Sequence, residues 1–351
     1  MPQTPYENIA KIVDKMIVLV LIIIVLMAYI VYDAFKSPST ISPEVVQMPS
    51  LNNPAPAPAE NQPVSTESFL KIDTSKIPHT KEGEMIRYGR ELIVNTVKYL
   101  GPNGSVGHFT NGMNCQNCHL EAGTKPYGNN YLSVHSMYPK FRDRSGNIET
   151  EVKRVSDCME RSLNGKAVAP ESKEMLAILS YLKWVGTGVS VGEKAKGSGF
   201  KDLAFLDRAA SPEKGKLVYV QKCQSCHLAD GKGQLNDGMQ GYKYPPLWND
   251  NSYNIGAGLY RLSFFAKYVK YNMPFGASHE APQLSDEEAW DVSAYVNSQP
   301  RPKKDISKDW PDISKKPVDH PFGPYKDEFS EQQHKYGPFK PIEQARKKAS
   351  V

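Results

Sequence analysis

Cys115-Gln116-Asn117-Cys118-His119 and Cys223-Gln224-Ser225-Cys226-His227 are two copies of one short pattern, and everything else in the chain is read outward from them. The two thiols of such a pattern are spaced to add across the vinyl groups of a haem, and the histidine that follows is placed to bind the iron from the proximal side. A zinc site of four thiolates would have to unite pairs more than a hundred residues apart. Neither that site nor a redox dithiol explains a histidine directly after both pairs. The pattern predicts two covalently bound haem c groups, attached through Cys115, Cys118, Cys223 and Cys226, with His119 and His227 as iron ligands. The fifth cysteine, Cys158, stands alone.

The two motifs sit in a diverged internal repeat. Each unit opens with a helical segment, 81–100 in the first and 212–221 in the second. Each closes with a helix announced by a serine followed by acidic or basic residues, Ser172-Lys173-Glu174 and Ser285-Asp286-Glu287. Serine at that position is a good N-cap, and the apolar spacing beyond it is helical. This organisation resembles class I cytochrome c domains, whose first and last helices pack beside the haem. The resemblance implies a mainly α chain with two tandem domains of that class. In the second unit, Tyr271-Asn272-Met273-Pro274-Phe275-Gly276 resembles the Met-Pro ligand loop of such domains, which nominates Met273 as the sixth iron ligand, with Met239 and His279 behind it.

Aligning the units on their closing tyrosines, Met273 stands 22 residues before Tyr295 and Cys158 stands 23 before Tyr181. Cys158 therefore takes the place of the distal methionine. Met159, Met137, His135 and Met113 are the other candidates for that iron, and an inert packed thiol is the plain alternative. The stretch 153–165 reads as a short helix ending at Asn164-Gly165. On it Arg154 and Ser162 lie four residues to either side of Cys158, on one face. Arg142 and Arg144 add two guanidinium groups upstream, although Glu149, Glu151, Asp157 and Glu160 make a solvated charged surface the competing reading. Arginine forks suit oxyanions and lower a neighbouring thiol's pKa, so the cluster is a candidate pocket for a small sulfur oxyanion.

With these residues in view, the chain resembles dihaem thiosulfate dehydrogenases of the TsdA type over about residues 79–345. The resemblance is carried by the two haem motifs, the stretch Arg154 to Gly165, the Met273-Pro274-Phe275 loop and the tail Phe329 to Phe339. It implies an enzyme that joins two thiosulfates into tetrathionate and releases two electrons to an external acceptor, with the reverse reaction open to some members. Carried over by position, His119 and Cys158 would ligate the active-site haem, His227 and Met273 the electron-exit haem, and Arg144, Arg154 and Ser162 would hold the anion, with Arg142 assisting. Members with a lysine before the methionine contrast with Asn272 here. A dihaem electron shuttle without its own substrate, and an enzyme related to SoxA, are the alternatives.

The 351 residues, with a net charge of +5 and a mean hydropathy of −0.51, suit two small domains on a hydrophilic chain, and no nucleic-acid motif is present. The uncharged apolar run 16–32 would span roughly 26 Å as a helix and is expected to be a retained transmembrane anchor. Lys11 and Lys15 before it place residues 1–15 in the cytoplasm. That reading puts the protein in the inner membrane, single-pass, with its headpiece in the periplasm near a small cytochrome c or a membrane oxidase. Residues 33–78, rich in Pro and Ala, form the expected linker. Domain 1 is expected over 79–190, an interdomain linker over 191–204, domain 2 over 205–300, and over 301–351 a tail whose aromatics pack on the headpiece.

Overall fold

In the computed structural model, which describes residues 16–18, 20–22, 25–27, 29, 69–237 and 240–349, two helix pairs carry the architecture. The chain divides into two units, Met1–Glu60 and Asn61–Val351, and the helix pairs belong to the second. The first pair is α1 (Lys81–Val94) with α3 (Lys173–Val185), and α2 (Glu151–Arg161) lies between them in sequence. The second pair is α4 (Pro212–Lys222) with α6 (Asp286–Ser298), and α5 (Leu262–Asn272) packs on α6.

The caps follow from the sequence. Thr80, Thr150, Ser172, Ser211 and Ser285 each accept a hydrogen bond from a backbone N–H in the first turn of the helix they precede. At Ser285 the box is complete, because Glu288 reaches back to the cap N–H. Asn95 interrupts the first helical segment, which continues only as the short helix Thr96–Leu100.

Both pairs cross at a glycine, and at equivalent points. A Cβ on Gly89 would lie 1.9 Å from the carbonyl oxygen of Ala177, and one on Gly215 would lie 1.8 Å from that of Asp291. Ala177 and Asp291 each stand four residues before the closing tyrosine, so the structure repeats the register on which the two units align. Gly215→Ala is expected to force α4 and α6 apart and to destabilise the second module by about 1–3 kcal/mol, visible as a lower melting temperature of the haem-loaded protein.

Around the pairs the cores close separately. Ile86, Leu92, Ile93, Tyr181 and Leu182 are buried in the first, and Tyr219, Phe265, Trp290 and Val296 in the second. The modules meet directly, since Tyr268 Oη donates to Asn117 O and Asn111 Nδ2 donates to Asn251 O. Beyond residue 300 the chain returns over both. Phe322 stacks on Tyr260 with ring centroids 5.7 Å apart, and Phe339 is buried beside Phe205 and Trp290. The short helix α7 (Glu331–Tyr336) and α8 (Lys340–Ala349) end the described chain. Asp327 joins this tail internally by accepting from His334 Nε2 at 2.8 Å and from Arg346.

The expected anchor is corrected here. Among the described residues no helix is long and apolar enough to cross a membrane. The transmembrane helix over 16–32, the tethering drawn from it and the inner-membrane location are therefore not supported. Residues 1–15 and the linker as far as 68 lie outside the described residues. From Phe69 the chain pairs with Lys196 in an isolated parallel bridge.

Candidate active site and haem attachment

Each motif histidine is oriented by a backbone carbonyl. His119 Nδ1 lies 2.5 Å from Asn129 O, and His227 Nδ1 lies 2.8 Å from Pro245 O. A carbonyl only accepts, so Nδ1 carries the proton and donates, which leaves the Nε2 lone pair for a metal. Burial holds both imidazoles neutral, with His119 pushed down to about 4. Burial also pushes the motif thiols up, Cys115 and Cys223 to about 11, and none of the five cysteines is in a disulfide. Two unbridged thiols beside a histidine with Nε2 directed away from its carbonyl partner are the donor set a c-type haem requires, and it occurs in both modules.

The lone cysteine belongs to the first of these sites. Cys158 is half-buried on α2, and its charge acts on Cys115, Cys118 and Tyr131. Arg154, one turn earlier, is raised above the ordinary arginine value chiefly by Cys158, with burial acting against it. Arg154 also acts on His119. The fold thus gathers His119, Cys158 and Arg154 at one place. Ser162 caps the end of α2, its N–H donating to Cys158 O at 2.8 Å. Asn164 takes a positive φ of 43° as the chain turns away, as expected at an Asn-Gly stop. Of the other candidates, Met159 and Met113 are buried, Met159 in the first module's core, and His135 bonds Glu151 near the surface.

Arg144 and Arg142 are placed differently from Arg154. Arg144 Nη2 donates to Asp157 Oδ2 at 2.5 Å, and Lys153 bonds the other oxygen of the same carboxylate. Burial pushes the Asp157 carboxyl up, but Lys153 and Arg144 more than offset it, so it stays ionised below the usual range. Arg142 ends β1 (Lys140–Arg142), which pairs antiparallel with β2 (Asn147–Glu149), and its Nε is 3.8 Å from Glu149 Oε2. Asp157 and Glu149 had been read only as parts of a charged surface. Their burial, at 2% exposure each, is the signal that sequence lacks.

A strap from the tail completes the first site. Arg161, at the end of α2, makes paired bonds of 2.7 and 2.8 Å to Asp309. Trp310 N–H donates to Arg144 O at 2.7 Å, and Pro311 packs on Gly146 at the hairpin turn. The hairpin and α2 are thereby pinned by residues about 150 positions later in the chain.

In the second module Met273 caps the end of α5 and, with Cys223, packs against the core of that module. Cys158 lies inside a helix whereas Met273 follows one, so the two match in register but not in local structure. Asn272 is buried, and its Nδ2 donates to Tyr127 O and Tyr268 O. It thus ties the Met273 loop to the segment that follows the first motif.

Comparison with known proteins now decides the family. The SoxA/TsdA cytochrome c domain matches residues 107–191, and the cytochrome c family matches 212–300. A thiosulfate dehydrogenase from Psychrobacter arcticus is 37% identical over 268 residues, covering 75% of this chain and 78% of that one. One from Stutzerimonas stutzeri is 35% identical over 238 residues, covering 68% and 74%. The chain belongs to the thiosulfate dehydrogenase family. Among solved structures, thiosulfate dehydrogenase (TsdBA) from Marichromatium purpuratum in its "as isolated" form superposes with a TM-score of 0.62 at 29% identity. That match covers 68% of this chain and 50% of that one, so the present chain spans half its length. As in the family, two cytochrome c domains carry two c-type haems.

Proposed function

We propose that this chain oxidises two thiosulfate anions to tetrathionate at the first haem site and passes two electrons to an external acceptor. The observation that carries the reading is the convergence of Cys158, Arg154 and His119, because an electron carrier gains nothing from a half-buried cation beside a lone thiol. Two haems would supply the oxidising equivalents, the first held by His119, with Cys158 as a ligand that would give way when thiosulfate binds, and the second by His227 and Met273.

The chain's own residues perform the sulfur chemistry. The Cys158 thiolate forms a sulfur–sulfur bond to the outer sulfur of one thiosulfate, and two electrons leave. The outer sulfur of a second thiosulfate then attacks that same sulfur. This breaks the bond to Cys158, returns the thiolate and releases tetrathionate, so the sum is two thiosulfates to one tetrathionate and two electrons. Bringing two dianions together demands positive charge in a partly dehydrated place. Arg154 supplies it next to the thiol, and Ser162 offers a hydroxyl one turn on. Arg144 and Arg142 contribute from behind their partners Asp157 and Glu149.

The test is anaerobic addition of thiosulfate to the oxidised, haem-loaded protein, following haem reduction by absorbance and tetrathionate by chemical assay. Reduction with one tetrathionate per two electrons is expected. Absence of both, with a competent acceptor present, would favour a substrate-free electron shuttle. Arg154→Gln is expected to raise the KM for thiosulfate by about 10- to 100-fold, the scale of losing a charge-assisted contact, and the loss should shrink in high salt.

A further inference from the structure

Glu149 is 2% exposed, yet neither of its carboxylate oxygens accepts a hydrogen bond from any described residue. Buried carboxylates are ordinarily bonded on both oxygens, so an orphaned one calls for an explanation. Its placement comes from the hairpin. Alternation along the strands puts Lys140, Arg142, Asn147 and Glu149 on one face, while Phe141 and Ile148 point outward at 57% and 72% exposure. The inner face turns towards α2, where the Glu149 charge acts on Arg154, and it acts also on Tyr138. The nearest cation is Arg142, whose Nε stands 3.8 Å from Oε2, an ion pair without a hydrogen bond. The Arg142 side chain is one-third exposed and has room to swing.

A carboxylate set beside arginines that gather anions opposes the binding of those anions. It also gives the arginine somewhere to return when the anion leaves. We propose that Glu149 is a positioning residue that sets how tightly the site holds its anions: it takes Arg142 when the pocket is empty and repels the bound product, so that Arg142 exchanges between Glu149 and the sulfur oxyanion. The inference rests on the thiosulfate reading above. It adds a release element to the arginine cluster.

Glu149→Gln in the full, haem-loaded protein keeps the shape and removes the charge. Calorimetry in a Cys158→Ala background, where tetrathionate can be neither reduced nor attacked by the thiol, is expected to show tetrathionate bound about tenfold tighter with Glu149→Gln than without it, with the difference flattening in high salt. In turnover, the KM for thiosulfate and the kcat should both fall, because affinity rises while release slows. Glu149→Asp keeps the charge and is expected to bind tetrathionate within about twofold of the unaltered protein. A merely structural role predicts that Asp and Gln behave alike. Arg142→Gln is expected to weaken tetrathionate binding by about tenfold, which keeps the idea testable if Glu149→Gln does not fold. Unchanged or weaker tetrathionate binding in Glu149→Gln, with the unaltered protein active, would overturn the proposal. Likewise, unchanged binding in Arg142→Gln removes the exchange on which it depends. An unaltered protein that neither turns over thiosulfate nor binds tetrathionate would remove the thiosulfate reading, and this inference with it.

Discussion

Cys158→Ala is expected to leave the protein folded with both haems attached, while thiosulfate-dependent reduction falls by at least about 10³-fold, the scale of losing a nucleophile. Attachment should survive because the four motif cysteines are untouched. The fold should survive because Cys158 is only half-buried, on a helix capped by Thr150 at one end and tied to Asp309 through Arg161 at the other. A change in the absorbance of one haem but not the other would place the thiol at the first iron. Cys158→Ser should be equally inactive, because a serine hydroxyl stays protonated and cannot form the sulfur–sulfur link. Retained turnover in either variant would refute the covalent step, and mass spectrometry of the unaltered protein after thiosulfate treatment should show a sulfur adduct on Cys158.

The largest stability loss is expected at Asp319→Ala. This carboxylate is 1% exposed and accepts from Arg261 Nε at 2.9 Å, from Arg261 Nη2 at 2.5 Å, and from both the N–H and the hydroxyl of Ser263. It thereby locks the returning tail to the start of α5. Removing one partner of a buried pair leaves the other charge uncompensated, at a cost of about 3–5 kcal/mol. Denaturant unfolding should show that loss. The same pair makes stability depend on acid. Burial pushes the Asp319 carboxyl up, but Arg261 and Ser263 pull it further down, so its folded pKa lies below its unfolded one. Its contribution is fully present above the unfolded value of about 3.9 and is lost as the pH falls through the folded value. In Asp319→Ala the part of the acid-induced loss due to this group should disappear.

How far each feature could be read from the chain depends on whether its cause is local. The haem motifs, the capped helices and the Asn164-Gly165 stop depend on residues within a few positions of one another, and those were legible. The repeat supplied a second copy to align with, and that alignment is what nominated Cys158 as a distal ligand. The N-terminal run shows the limit of composition. Its apolarity suggested a membrane span, yet among the described residues no helix is long and apolar enough to cross one. Gly89 and Gly215 carried no local sign of their importance, since only the opposite helix, with a carbonyl at the crossing, forbids a side chain there.

By itself, the sequence determined that two c-type haems are carried and where the main helices are capped, because covalent spacing and helix capping act within a few residues. Helical spacing alone put Arg154 beside Cys158, but only the tertiary structure decided what holds the other arginines: Arg144 is held by Asp157, and Arg142 stands beside an orphaned Glu149. Only the tertiary structure brought Asp309 and Trp310 back to pin α2 and the hairpin. The reason is physical: whether a charge is paired or exposed is set by burial and by partners far along the chain, and neither is a property of the residue or its immediate neighbours.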